Sequence, residues 1–564
     1  MWGIGSQARD RQALFVATAL LVGLLSQPAL SASLPSAGAV QNSAREVEAF
    51  YESLDRTASQ SHSALSLDEL IDETSEAHVS AHASAPAGEA SIWISRIDVP
   101  ASEIIDAEVL EALTGAYEQR EVTLSELNLL VAEINDQYRQ RQYITARAYL
   151  PQQTVQDGVV AIRLIEARID DVEITENRFT RDGYIKRRLR LEPGELADVR
   201  SLEETLNQFN AAHDVELRAL LQPGEQPNTT RYVVQALEPK NHTFSVFADN
   251  AGRKTIGKER IGLRYINSSV MGRRDRLSVG GSYAEGAFTG FASYSLPVSK
   301  HGTRAIFSAD YSEIVIVSGA LETFNIRGDS MLLSAFLSQP LWLTPRTSLY
   351  GLVGVNAKES STDFDDVDRF ESSLRSASIA ADYQMFGDGF MFYVRPQLNA
   401  GVDRTFDDRS FTTLNGDAGF IANPGSNHRV ALRLSGQVAD VDGLPSAEQF
   451  QLGGTASVRG YPEGFFIGDQ GYYVSAEYRY LGLYQRFGRH TLEPFFFADH
   501  GGVFDSRREQ AADRSEYLAS MGFGFTHRFS HRISTTLQFG FPMSARSGFD
   551  DDYFVHFYIN FMPF

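Results

Sequence analysis

Two short stretches carry residue types that could do specific work. The first is Gly453-Gly454-Thr455-Ala456-Ser457-Val458-Arg459-Gly460-Tyr461, inside a long segment, Val441–Gly471, between two alternating strands. Glycines let backbone approach closely, and a long loop in a compact fold is more often functional than merely connecting. The second is Phe497-Ala498-Asp499-His500-Gly501, within a strand read as Leu492–Val503. An arginine on a loop and an aspartate at an inward strand position could make a lock, with the loop folded inward and paired to the wall. A partly buried ion pair of this kind specifies position more than it stabilises. The same residues also fit a surface arginine in a turn and an unrelated strand aspartate, and exposed pairs of that sort are worth little.

No other cluster reaches a chemical pattern. The chain has no Walker A loop, no GxSxG elbow and no HExxH helix, so neither enzyme activity nor a cofactor is expected. Asp499 and His500 are strand neighbours whose side chains point to opposite faces, which is wrong for a dyad. Asp363, Asp365, Asp366 and Asp368 form an acidic cluster without the glycine and closing glutamate of a calcium loop. It reads as a solvated loop, and no metal site is expected. The 72 acids against 51 bases give a net charge of −21, which argues against nucleic acid as a partner, since its phosphates want a basic face.

The elements that must position the two stretches come from periodicity. From about Lys240 to Phe564 helical patterning disappears and short alternating runs repeat between Gly, Asn, Asp and Ser clusters. Val430, Leu432 and Leu434 alternate with Ala431, Arg433 and Ser435. Met521, Phe523 and Phe525 alternate with Gly522, Gly524 and Thr526. Ile533, Thr535, Leu537, Phe539 and Phe541 alternate with Ser534, Thr536, Gln538 and Gly540. A soluble sandwich would also alternate. Small or polar partners throughout and aromatics near strand ends point instead to a transmembrane antiparallel β-barrel in outer-membrane lipid. Its sheet must be closed, because lipid cannot satisfy a free edge. At roughly 20 residues per strand and loop, residues 240–564 hold on the order of 16 strands. The final strand, Tyr553–Phe561, alternates well, but Pro563 and the phase of Phe564 break the pattern after it.

Upstream, two units share a β-α-α-β-β order. The first, residues 91–167, has a strand at Ile92–Val99, a helix near Ile104–Leu113, a helix at Thr123–Arg141 and strands at Tyr143–Leu150 and Gly158–Glu166. Thr123 with Glu126 is a capping box. The second, residues 168–239, has a strand at Arg168–Thr175, helices at Thr180–Leu191 and Ser201–Ala212, and strands at Val215–Leu221 and Arg231–Leu237. Residues 34–90 read as a flexible linker, except that Val47, Phe50, Tyr51 and Leu54 would share one helical face within 44–54. Residues 1–33 read as a signal peptide: Arg9 and Arg11, an apolar run from Ala13 to Leu25, and small residues Ala29, Ser31 and Ala32. An exported chain with no cysteine must be held by burial and backbone pairing rather than disulfides.

The Val458–Tyr461 box, the Phe497–Gly501 box and two preceding β-α-α-β-β units together resemble the outer-membrane assembly and secretion superfamily, whose periplasmic units are POTRA domains. Two POTRAs, a leading helix and a sixteen-stranded barrel are similar to the two-partner secretion transporters of the haemolysin/filamentous-haemagglutinin activator type. Leu221-Gln222-Pro223-Gly224-Glu225-Gln226-Pro227 closing the second unit agrees, as does Asp249-Asn250-Ala251-Gly252 with Gly257 and Arg260 in the first barrel hairpin. The resemblance implies that Arg459 pairs with Asp499, that Glu477 joins them, and that helix 44–54 plugs the pore. It implies a large secreted exoprotein as partner, adhesin- or haemolysin-like and β-helical, carrying an N-terminal secretion domain. That partner would dock by adding a strand to a sheet edge, with Tyr143–Tyr149 and Val215–Leu221 as edges to test. The expected place is the outer membrane, with the N-terminal units in the periplasm. Two other readings remain: a barrel-assembly factor, which usually carries three or more POTRAs, and a passive porin or receptor, which would not need about 150 residues of α/β structure.

Overall fold

The computed structural model describes residues 41, 91–319, 322–344, 346–364, 368–405, 408–441, 443–483, 490–505, 514–530, 532–543 and 551–563. The signal peptide, the linker and the 44–54 helix with Val47, Phe50, Tyr51 and Leu54 lie outside the described residues. The chain divides into two compact units, one holding the α/β modules and the other the barrel.

The first module contains β1 (Ser91–Ile94), β2 (Arg96–Asp98), α1 (Ala107–Gly115), β3 (Arg120–Thr123), α2 (Leu124–Gln140), β4 (Arg147–Tyr149), β5 (Val159–Ala161) and β6 (Arg163–Ile165). The second contains β7 (Arg168–Thr175), α3 (Asp182–Leu189), α4 (Val199–Ala212), β8 (Glu216–Pro223) and β9 (Thr229–Leu237). Each module contains one parallel pair: β2 with β5 in the first, and β7 with β9 in the second. Each also contains an antiparallel pair: β4 with β6 in a separate two-stranded sheet, and β8 with β9 in the same sheet as β7. Each module has its own core. Ile94, Leu130, Ile134 and Ile162 are fully buried in the first, and Ile185, Leu189 and Val234 in the second. The capping box forms as its spacing predicts: Glu126 N donates to Thr123 Oγ1 and Thr123 N donates to Glu126 Oε2.

Several boundaries differ from expectation, each for a local reason. The opening strand Ile92–Val99 is two strands, because Ser95 N donates to Gly158 O at 2.8 Å and the chain changes partner there. β1 then pairs with β3, which periodicity did not reveal. Tyr143–Leu150 is strand only from Arg147, since Tyr143 N and Ala146 N are spent in turns. Gly158–Glu166 splits at Ile162, whose N–H goes to Asp98 O at 3.0 Å. The helix expected over Thr180–Leu191 stops at Leu189, where Arg190 turns left-handed at φ 52°.

Among the described residues sixteen strands close a barrel. They are β10 (His242–Asp249), β11 (Arg260–Asn267), β12 (Arg276–Ala284), β13 (Ala287–Pro297), β14 (Arg304–Val315), β15 (Arg327–Leu343), β16 (Thr347–Phe364) and β17 (Asp368–Gly387), then β18 (Phe390–Asp403), β19 (Arg409–Ala422) and β20 (His428–Ala439). After a hairpin of β21 (Phe450–Leu452) and β22 (Phe466–Gly468), they continue with β23 (Gln470–Tyr480), β24 (Thr491–Asp505), β25 (Arg514–Ser530), β26 (Ile533–Pro542) and β27 (Phe554–Phe561). β27 pairs with β10 to complete the ring. The Val441–Gly471 segment is therefore no plain loop but carries its own short sheet.

Alternation decides the two faces. Leu337, Val353, Ile379, Leu398, Leu414 and Val438 are successive cross-strand partners and all are exposed on the outer wall. The adjacent inward positions are polar and covered, for instance Ser338, Ser378, Asn399 and Thr413. Ser534, Thr536 and Gln538 face inward on β26 while Ile533 and Phe541 face out. This is the polarity of a lipid-facing wall around a polar lumen. The lumen wall carries further ion pairs: Arg395 with Asp382, Arg479 and Arg528 with Glu493.

Candidate functional site

The segment between β20 and β23 is folded into the barrel, and its residues from Phe450 to Tyr461 are all buried. Two consecutive glycines allow the entry. Gly453 and Gly454 have φ of 105° and 107°, a region that favours glycine. Gly460 has φ 135°, and a side chain there would press within 3.4 Å of the Gly540 backbone.

Arg459 sits at the centre. Its Nε donates to Asp499 Oδ2 and its Nη2 to Asp499 Oδ1, both at 2.9 Å, the bidentate fork. Nη2 also donates to Ser475 Oγ at 3.1 Å, and Nη1 donates to Glu477 Oε2 at 2.7 Å and Gln538 Oε1 at 3.4 Å. The backbone N–H of Arg459 adds a third bond to Asp499, at 3.0 Å. All five guanidinium hydrogens thus have an acceptor, from β23, β24 and β26. The side chains of Arg459 and Asp499 are fully buried. The guanidinium carbon also lies 3.7 Å from the centroid of the Phe497 ring.

The Phe497–Gly501 box fits that arrangement by parity. Phe497 and Asp499 are buried on the inner face, while Ala498 and His500 are exposed on the outer face. Phe497 occupies space that a Cβ at Gly522 would enter, 2.4 Å from its ring. A Cβ at Gly501 would stand 2.4 Å from Leu452 of the incoming segment. Val458 and Tyr461 pack with Phe450, Leu452, Val503 and Leu518 in one apolar cluster, and Tyr461 Oη donates to Ala519 O at 3.2 Å. Val458, Arg459, Gly460, Tyr461, Phe497, Asp499, Gly501 and Glu477 are thus brought together on one arc of the wall.

Sequence reasoning missed the remaining contacts. Ser475 and Gln538 complete the arginine's shell. Thr455 Oγ1 lies 2.9 Å from His556 Nδ1, and Thr455 N donates to Glu463 Oε1 at 2.6 Å. Burial pushes the Glu463 carboxyl up to about 7, against the pull of Thr455 and of the Arg260 and Arg253 charges. The available signal was the glycines at inward positions 522, 524 and 540, which leave the wall bare where the segment lies. Among the described residues no group of three or more histidine, aspartate or glutamate side chains could hold a metal.

Residues 92–167 match the POTRA domain of the ShlB type. The heme/hemopexin transporter protein HuxB of Haemophilus influenzae is 23% identical over 449 residues, covering 75% of this chain and 78% of that protein. The outer membrane transporter CdiB of Dickeya dadantii (strain 3937) is 23% identical over 460 residues, covering 77% and 79%. The solved structure of CdiB from Escherichia coli superimposes with a TM-score of 0.62 at 20% identity, covering 94% of this chain and all of that one, which shows the shared fold. Residues 229–527, more than half of the 564-residue chain, match the model of the haemolysin secretion/activation proteins ShlB/FhaC/HecB, and the chain belongs to that family.

Proposed function

We propose that this outer-membrane transporter, whose N-terminal α/β modules lie in the periplasm, recognises an unfolded secreted exoprotein through those modules and passes it through a barrel gated by the Val458–Tyr461 segment. The observation that carries the reading is the fully buried Arg459 with acceptors for all five of its guanidinium hydrogens, which fixes the Val458–Tyr461 segment inside the lumen. A buried pair of this kind is a register device with two definite states, held or released. Docking by strand addition is supported by β4 and β8, which each have a single sheet partner among the described residues and so present an edge. They overlap the Tyr143–Tyr149 and Val215–Leu221 segments. Gln41 supports a leader segment reaching the lumen: it is buried, and its Oε1 accepts from Ser330 Oγ of β15 at 3.1 Å. The partner in this reading is a large β-helical adhesin or haemolysin with an N-terminal secretion domain. Folding of the exported chain outside prevents its return and gives direction without a nucleotide.

The test is Arg459→Ala in cells that export a cognate partner. The barrel should remain inserted and export should fall by at least tenfold. Undiminished export from the inserted variant sinks the gate. Deleting residues 34–90 should raise the conductance of the purified barrel if that segment obstructs it; unchanged conductance removes the plug.

A further inference from the structure

Barrel strands alternate in direction, so the periplasmic end of each follows from the first. Residues 238–241 alone separate β9 of the periplasmic modules from β10, and the strands then run outward and inward in turn. β20 and β24 therefore start on the periplasmic side, and β23 and β25 finish there. Near those ends the inward side chains are charged. On β20, Leu432 and Leu434 are exposed on the outer face, so Arg429 and Arg433 face in. On β23, Val474 and Tyr478 face out, so Glu477 and Arg479 face in. Glu493 of β24 and Arg528 of β25, paired with each other, complete the arc. Among the described residues, the periplasmic halves of these four strands thus turn four arginines and two carboxylates inward, an excess of two positive charges.

Both carboxylates are already shared. Glu477 pairs with Arg459 Nη1 at 2.7 Å and with Arg479 Nη2 at 2.8 Å. Glu493 pairs with Arg479 Nη1 at 3.4 Å and with Arg528. Arg429 donates from Nε to the neutral Asn423 Oδ1 at 3.0 Å, and no carboxylate of the described residues pairs with it. It also stands directly opposite Arg479 in the β20–β23 register, a like-charge placement that costs stability. Arg433 Nη2 donates to Ser475 Oγ at 3.4 Å. Arg429 and Arg433 are only half-buried, which leaves donors within reach of the lumen. The neighbouring arc has the opposite sense: Arg395 of β18 pairs with Asp382 and lies opposite Asp417 of β19. The arginine excess is therefore confined to one stripe of the mouth.

We infer that Arg429 and Arg433, backed by Arg479 and Arg528, form a carboxylate-binding stripe at the periplasmic mouth of the lumen, which takes acidic stretches of an extended polypeptide as it enters. A guanidinium fork holds one Asp or Glu side chain through two parallel N–H···O bonds. Arg429 and Arg433 are four residues apart on one strand, about 13 Å, which is the spacing of residues i and i+4 in an extended peptide. Elsewhere a chain of net charge −21 repels such a segment. The inference rests on the reading that a polypeptide passes through the lumen, and it adds the charge class of the segment that the mouth receives.

The test uses the purified full chain in neutral detergent and two fluorescent peptides of Ser and Gly, one with Glu at every fourth position and the other with Lys there. Fluorescence anisotropy at low salt should show the Glu peptide bound about fivefold more tightly or better, a margin that added salt erodes. Arg429→Gln should lose most of that margin, and Arg429→Lys should keep most of it. A parent that binds both peptides equally overturns the stripe. So does an Arg429→Gln chain that binds the Glu peptide as the parent does. Arg433→Gln gives a second approach should Arg429→Gln fail to fold, with the same expected loss, and gel mobility without heating shows that the barrel is closed. The export assay separates the two ideas. If Arg459→Ala leaves export undiminished while the Glu margin holds, the gate alone fails. If Arg459→Ala stops export while Arg429→Gln and Arg433→Gln leave binding unchanged, the stripe alone fails.

Discussion

The α/β modules and the barrel use the same two-residue strand period and solve opposite problems with it. In the first module Ile94, Leu130 and Ile162 are wholly hidden and the arginines Arg96, Arg147 and Arg163 face water. In the barrel Val353, Ile379 and Leu398 face outward, and the buried arginine Arg459 faces in. Apolar burial drives the module's core together. In the barrel the apolar face is already in its solvent, so closure rests on backbone pairing around the ring and on polar contacts in the lumen. The difference teaches where each part is fragile: the module to lost methyl groups, the barrel to misplaced charge.

The largest expected effect lies on the module side. Leu130 is completely buried on α2 among Ile94, Ile134 and Val160. Leu130→Ala removes apolar area and leaves a cavity, a loss of about 2–5 kcal/mol. Chemical denaturation followed by the fluorescence of Trp93, in the neighbouring strand β1, should show the module unfolding earlier while the barrel keeps its folded mobility on unheated gels. The same truncation at Leu333, half-exposed on the outer wall, should leave barrel stability nearly unchanged, because lipid refills the space. Equal losses at the two leucines would break the comparison.

Next comes the barrel's own weakness. Ile379 stands near the middle of β17 with Val353 and Leu398 beside it on the lipid side, while Ser378 faces the lumen. Ile379→Arg should cost about 2–4 kcal/mol for a cation in the middle of the lipid-facing band. Ser378→Asp, one residue away, should cost well under half of that, since the lumen already holds charge. Equilibrium refolding into detergent or lipid, with the two variants side by side, checks both. Matching penalties would mean that the two faces are not what their side chains indicate.

How much of this was legible in the residues divides along the same line. Strands such as Ile533–Phe541 could be read because each alternates without interruption, and each has a partner next in the chain. Loop glycines and an inward strand parity marked the arginine and its aspartate as one candidate pair, but the same residues also fit a surface arginine and an unrelated strand aspartate, and the family resemblance is what joined them. β1 with β3 could not be read: four residues at each end of a helix-containing excursion carry too little pattern. Thr455 and His556 are 101 positions apart, and a threonine and a histidine are unremarkable until the ring closes and puts one over the other. The hairpin β21–β22 was hidden for a different reason: each strand is three residues long, and Phe450, Gln451 and Leu452 are all buried, so no alternation marks it. Long-range polar pairing leaves no periodic trace, whereas burial against one solvent does.

The smallest effect tests whether local chemistry matters where tertiary burial dominates. Thr123 closes β3 and caps α2, accepting from Glu126 N and being met in return by the Glu126 carboxylate. The hydrogen bonds from the Thr123 backbone and the Arg120 side chain hold the Glu126 carboxyl below its ordinary range. Thr123→Ala removes one of the two reciprocal bonds and should cost about 1 kcal/mol. Its hydroxyl lies at the junction of the β1–β3 pair and the helix, so the loss should appear first as faster amide exchange in the first turn of α2, ahead of any change in the core around Leu130. Exchange that speeds up uniformly through the module would show that the cap and the core unfold as one unit. In that case the module, like the ring, stands on the closure of the whole rather than on any one turn.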